Sequence, residues 1–155
     1  TRKSADAARA EEVAAQVARL HPARPIVRCA LLPSRLVPLH GGEATPIEAL
    51  AGRRVLAVAA LALPEPFIEH LVEAGAEVDA ATYPDHHLFY RDDAESLVEW
   101  AGGRRMVMTR KDAVKLRPLL PPSADAFVLE QDVVIESGAE TVDAALRRAL
   151  EGSGR

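Results

Sequence analysis

From Arg54 onward, short apolar runs alternate with amphipathic stretches, and few folds accept that order. Residues 54–59 (RVLAVA) read as a buried strand, and 65–74 as a helix with Phe67, Leu71 and Val72 on one side and Gly75 as its stop. The pattern repeats with a strand at 77–82, a loop at 84–91, and a helix at 92–101 opened by Asp92-Asp93 and stopped by Gly102-Gly103. A strand at 105–109, a helix at 111–119, a strand at 126–134 and a helix at 141–150 complete it. Strands alternating with helices predict βαβ units: an α/β fold with a mostly parallel sheet flanked by helices in three layers.

The first third is less regular. Residues 5–20 predict a helix, with Val13, Val17 and Leu20 on one face and Asp6, Glu11 and Glu12 toward its N-terminal half. Pro22 and Pro25 end it, and 26–32 reads as a strand. Residues 33–46, with their prolines and Gly41-Gly42, read as a connection or an irregular hairpin. A boundary near Gly52 divides the chain into 1–50 and 51–155. The first residue is Thr1, which suggests that the polypeptide begins upstream, and the tail Gly152-Ser153-Gly154 is expected to fray.

Composition removes several functions. The net charge of −4 argues against a nucleic-acid binder. A lone Cys29 excludes an internal disulfide and a zinc site built on cysteine pairs, and fits a reducing compartment. The longest apolar run, 55–63, falls short of the about 20 residues that span a bilayer. Neither G-x-x-x-x-G-K-[ST] nor G-x-G-x-x-G occurs, so the chain carries no phosphate-cradling loop of its own.

Ligands of such sheets bind beyond the carboxyl ends of the strands. Three places qualify. After the first strand of the alternating part comes Ala60-Leu61-Ala62-Leu63-Pro64, without glycine, where a structural role is favoured. After the second comes Tyr83-Pro84-Asp85-His86-His87. There one imidazole could act as a base or a metal ligand, or Asp85 could cap a turn while the histidines pack locally. Adjacent histidines do not easily face the same way, so at most one is expected to do chemistry. After the third comes Thr109-Arg110-Lys111-Asp112-Ala113-Val114-Lys115. A helix start with two lysines could hold a phosphate or carboxylate. Alternatively Thr109 caps the helix, Asp112 complements its dipole, and both lysines are solvated.

In order along the chain, the stretch from Ala59 to Phe67, the Asp85-His86 step and the run T-R-K-D-A-V-K at 109–115 resemble the C-terminal part of the tetraacyldisaccharide 4′-kinase (lipid A 4′-kinase) family. The family shows A-G-I-G-x-P-x-x-F, then D-H, then T-E-K-D-A-V-K. The resemblance covers nearly the whole chain, with 1–50 matching the end of the kinase core. It implies a P-loop-kinase-associated C-terminal domain of an enzyme that moves the γ-phosphoryl of ATP, with Mg²⁺, to the 4′-hydroxyl of a lipid A disaccharide 1-phosphate. By the same resemblance ATP and Mg²⁺ are held mainly by a P-loop domain absent from this sequence, in cis or on a separate chain. The segment alone is then expected to be inactive. His86 becomes the candidate catalytic residue, supporting an aspartate of that domain, with Asp85 and His87 assisting. Thr109, Lys111, Asp112 and Lys115 become candidates for substrate or phosphate contact, Lys111 foremost. No metal ligand and no nucleic-acid partner are expected. The family implies a cytoplasmic protein that acts at the inner membrane's cytoplasmic face. The sequence departs from the family at Ala60 and Ala62, where the family has glycines, and at Arg110, where the family has glutamate. These departures keep open a degenerate, non-catalytic binding domain. The Asp-His-His string keeps open a metal-dependent phosphoesterase, which would need further aspartates.

Overall fold

The computed structural model describes residues 7–152. The expected helix start at residues 5–6 and the tail at 153–154 lie outside them. One mixed sheet of six strands carries the fold. The strands are β1 (Arg28–Pro38), β2 (Thr45–Pro46), β3 (Arg54–Ala60), β4 (Glu77–Tyr83), β5 (Arg105–Met108) and β6 (Ala126–Ser137), in the order β2-β1-β6-β5-β3-β4. β3, β4, β5 and β6 run parallel, and β2 is antiparallel to β1. The five helices are α1 (Ala7–Leu20), α2 (Glu65–Glu73), α3 (Arg91–Ala101), α4 (Arg110–Leu116) and α5 (Ala139–Gly152). The α/β architecture read from the alternation is therefore present.

The chain divides into two compact units. The larger holds residues 33–131. Its central strand β3 is fully buried beyond Arg54, and its side chains alternate between two cores. Leu56, Val58 and Ala60 pack with Met106, Met108, Ala94, Leu97, Ala113 and Leu116, so α3 and α4 cover one face. Val55, Ala57 and Ala59 pack with Val107, Phe67, Leu71, Ile47 and Leu50, so α2 and a 3₁₀ turn at Ile47–Leu50 cover the other. The result is three layers. Gly75 ends α2 with φ +86°, the left-handed conformation that a C′ glycine takes without penalty.

Of the two readings of 33–46, the irregular hairpin is the one present. Strand β1 continues through Pro33 to Pro38, and β2 returns beside it with Leu36 opposite Thr45. The prolines gave a loop signal because they cannot donate to a ladder. Burial of Leu36 and Leu39 keeps that segment extended against the core. Helix α4 ends at Leu116, earlier than the expected residue 119, since Pro118 has no N–H to continue the helix.

The smaller unit holds the described residues before 33 and after 131. Arg28 of β1 pairs with Glu11 of α1, and its Nε donates to Ser137 Oγ at 3.2 Å. Val13 and Val17 of α1, with Ile26 and Val27, line a groove of about 280 Å³. No residue of α5 is buried. Among the described residues no helix is long and apolar enough to cross a membrane.

Candidate functional site

Strand order decides where a site can form. The chain leaves β3 for β4 on one side, then crosses to β5 on the other. Between β3 and β5 the winding reverses, and the crevice at their carboxyl ends is where such sheets accept ligands. Register sets Ala60 opposite Tyr83, so β3 and β4 end level, while β5 ends at Met108 opposite Val58, two residues earlier. The loop after β4, the end of β3 and the start of α4 therefore meet at one edge of the larger unit.

Residues 84–87 form a tight turn in which His87 N–H donates to Pro84 O at 3.1 Å. His86 sits at its third position with φ +62°, the one non-glycine residue with positive φ among those described. A turn of type II requires a left-handed residue there, and histidine enters that region more readily than most. Asp85 Oδ1 accepts the His86 N–H at 2.9 Å, and its Oδ2 lies 3.4 Å from His86 Nε2. The His86 side chain is 84% exposed.

His87 faces the other way. Its ring stacks on Tyr83 at 4.7 Å, meets Phe89 edge-on at 5.0 Å, and places Nε2 3.2 Å from Asp93 Oδ2. Asp93 also accepts Tyr90 N–H at 2.8 Å and so anchors the start of α3. Burial, and secondarily the Asp93 charge, raises the Tyr83 hydroxyl above its ordinary pKa. The two adjacent histidines are thus divided, one exposed at the surface and one packed.

Helix α4 ties these pieces together. Thr109 caps it: its hydroxyl accepts Asp112 N–H at 3.2 Å and donates to Asp112 Oδ2 at 2.7 Å. Asp112 has no exposed surface, and the same Oδ2 accepts Ala60 N–H at 3.1 Å while Oδ1 is buried without a partner. The next residue back, Lys111, donates Nζ to Ala60 O at 3.4 Å and to Asp85 Oδ1 at 2.6 Å. Lys115, one turn on, donates to His87 O at 2.8 Å and stands 5.9 Å from the Phe89 ring centre. The Lys111 ammonium is the first cause, with the His86 N–H adding to it, of an Asp85 pKa below its ordinary value.

All seven residues singled out in the sequence thus lie at this edge. Sequence reasoning missed Ala60, which contributes backbone only, and Asp93, whose side chain was read as a helix-start charge. The departures from the family pattern are accommodated locally. Ala60 and Ala62 need no positive φ. Arg110 pairs with Glu130 on β6, which Arg35 also reaches at 2.7 Å, and these two guanidiniums hold the Glu130 pKa below its ordinary value. Among the described residues no three His, Cys, Asp or Glu side chains group as a metal site.

The family described as Tetraacyldisaccharide-1-P 4′-kinase matches residues 2–151. A tetraacyldisaccharide 4′-kinase of Anaeromyxobacter dehalogenans strain 2CP-1 is 41% identical over 114 residues, covering 70% of this chain and 30% of the relative. The corresponding kinase of Rhodopseudomonas palustris strain BisB5 is 35% identical over 150 residues, 94% of this chain and 39% of the relative. That of Azoarcus sp. strain BH72 is 38% identical over 104 residues, 67% of this chain and 28% of the relative. The chain spans only about a third of these relatives' length. No solved structure matches.

Proposed function

The chain belongs to the tetraacyldisaccharide-1-phosphate 4′-kinase family, and from that premise we propose that it is the His86-bearing part of a lipid A 4′-kinase. In this reading a P-loop domain, in cis or on another chain, holds ATP and Mg²⁺. Among the described residues no three His, Cys, Asp or Glu side chains group to hold the ion, so in this reading its ligands belong to that other domain. The acceptor is the 4′-hydroxyl of a tetraacyldisaccharide 1-phosphate. Its oxygen bonds to the γ-phosphorus as the bond to the bridging β–γ oxygen breaks. Its proton passes to an aspartate of the P-loop domain, with which the His86 imidazole shares it. Imidazole suits this task because it exchanges protons near neutral pH. Phosphoryl transfer otherwise depends on positioning. The work would take place at the inner membrane's cytoplasmic face, where the acceptor lipid lies.

The observation that carries the reading is the presentation of His86. It is exposed, held on a turn at positive φ, and anchored through Asp85 at the switch-point crevice. The packing of His87 weakens the phosphoesterase alternative, since Asp85, His86 and His87 do not converge. The pairing of Arg110 with Glu130 weakens the degenerate-domain alternative, since the reversed charge has its own partner.

The test grafts this chain onto the remaining N-terminal portion of the Anaeromyxobacter relative and follows phosphoryl transfer from labelled ATP to the disaccharide. His86→Ala should lower kcat by about a hundredfold or more, the usual range for a lost proton-transfer group. Unchanged turnover in His86→Ala would overturn the reading.

A further inference from the structure

We propose that Lys111 is a positioning residue that acts on His86 through Asp85, and is not a phosphate ligand. The inference rests on the kinase reading for its consequence, but its geometry belongs to this chain alone. Three observations carry it.

The Lys111 ammonium is already engaged. It donates to Asp85 Oδ1 at 2.6 Å and reaches Ala60 O at 3.4 Å, so two of its three protons are spent inside the protein. A lysine presented to a phosphate would point these donors outward. The carboxylate it holds has a second task. Asp85 Oδ1 also accepts His86 N–H, and its Oδ2 faces the imidazole. Lys111 therefore fixes the carboxylate that fixes the histidine. The third observation is the base on which Lys111 stands. Its neighbour Asp112 is wholly buried and takes Ala60 N–H, so consecutive residues of α4 grip both polar groups of Ala60. This clamp pins the start of α4 to the rigid centre of the sheet. Lys115 adds a tether at His87 O. The exposed turn thus borrows rigidity from β3, which a surface loop carrying a positive-φ histidine otherwise lacks.

A phosphate ligand and a positioning residue fail differently. Removing a ligand weakens binding and raises KM, whereas removing a positioning group lowers kcat with KM nearly unchanged. The experiment has two arms. In the isolated chain, amide exchange and the imidazole resonances of His86 are followed by NMR in Lys111→Met, Lys111→Arg, Asp85→Asn and Lys111→Met/Asp85→Asn. Lys111→Met should speed His86 amide exchange by about tenfold, in keeping with a lost charge-assisted bond, and move its ring signals. Asp85→Asn should do the same, the double variant should add little to either, and Lys111→Arg should keep most of the unperturbed behaviour. In the grafted kinase, Lys111→Met should lower kcat about tenfold while the KM for ATP and for the disaccharide moves less than about twofold. His86 signals that stay in place in Lys111→Met overturn the inference, as does a rise in KM with kcat preserved. The kinase reading fails separately: an inert His86→Ala substitution in the graft sinks it, while displaced His86 signals in Lys111→Met still uphold the Lys111–Asp85–His86 linkage.

Discussion

Asp112 shows how far one side chain can depart from its sequence appearance. In the sequence it is a first-turn acid, a residue that complements a helix dipole from the surface. In the structure it is the one buried charged residue among those described, and it bonds the backbone of a strand 52 positions away. Nothing in local spacing marks that burial, because its cause is the pairing of β5 beside β3, which sets the start of α4 next to Ala60. By contrast, the opposite placement of His86 and His87, one exposed and one packed, was legible, since adjacent side chains in a turn diverge. Removing the Asp112 carboxylate leaves Ala60 N–H buried without an acceptor. Asp112→Ala should therefore cost about 2–3 kcal/mol of stability, while Asp112→Asn, which keeps an acceptor oxygen, should cost less. Urea unfolding followed by circular dichroism measures both.

Among the elements, those of the larger unit were readable where apolar pattern and stop signals agreed. Strand β3 is apolar at every position after Arg54 because both of its faces are covered, and α2 and α3 end at the glycines that mark them. The second half of strand β1 stayed undecided between a connection and a hairpin because Pro33 and Pro38 mimic loop punctuation, and the pull of Leu36 into the core acts over a distance that local pattern does not register. The glycine stops are open to test. At Gly75 an added Cβ would lie 3.3 Å from Ala51 Cα, on a backbone at φ +86°. Gly75→Ala should cost about 1–2 kcal/mol through the left-handed penalty, seen as a lower urea midpoint. Substituting alanine for Gly52, where an added Cβ meets nothing within 4 Å, should incur only the conformational part.

For the whole molecule, the two units differ in how much interior they possess. The larger has a covered sheet with two cores, whereas α5 in the smaller buries no residue. Local opening depends on buried contacts, so amides of α5 should exchange about a hundredfold or more faster than those of β3, as hydrogen-exchange mass spectrometry would record. The α/β class was visible from alternation alone. The unit division was less so, because each of β1 and β6 contributes residues to both units, and no composition shift marks residues 32 or 131. The grip of Lys111 and Asp112 on Ala60 has a final consequence for how such a chain can vary. Each residue added to a helix rotates the side chains beyond it by about 100° around the axis. An insertion or deletion between Met108 and Lys111 would therefore swing both side chains off Ala60 at once. That short stretch is a fixed gauge, intolerant of any change in length yet open to a change in chemistry, as the outward-facing Arg110 with its own partner Glu130 illustrates.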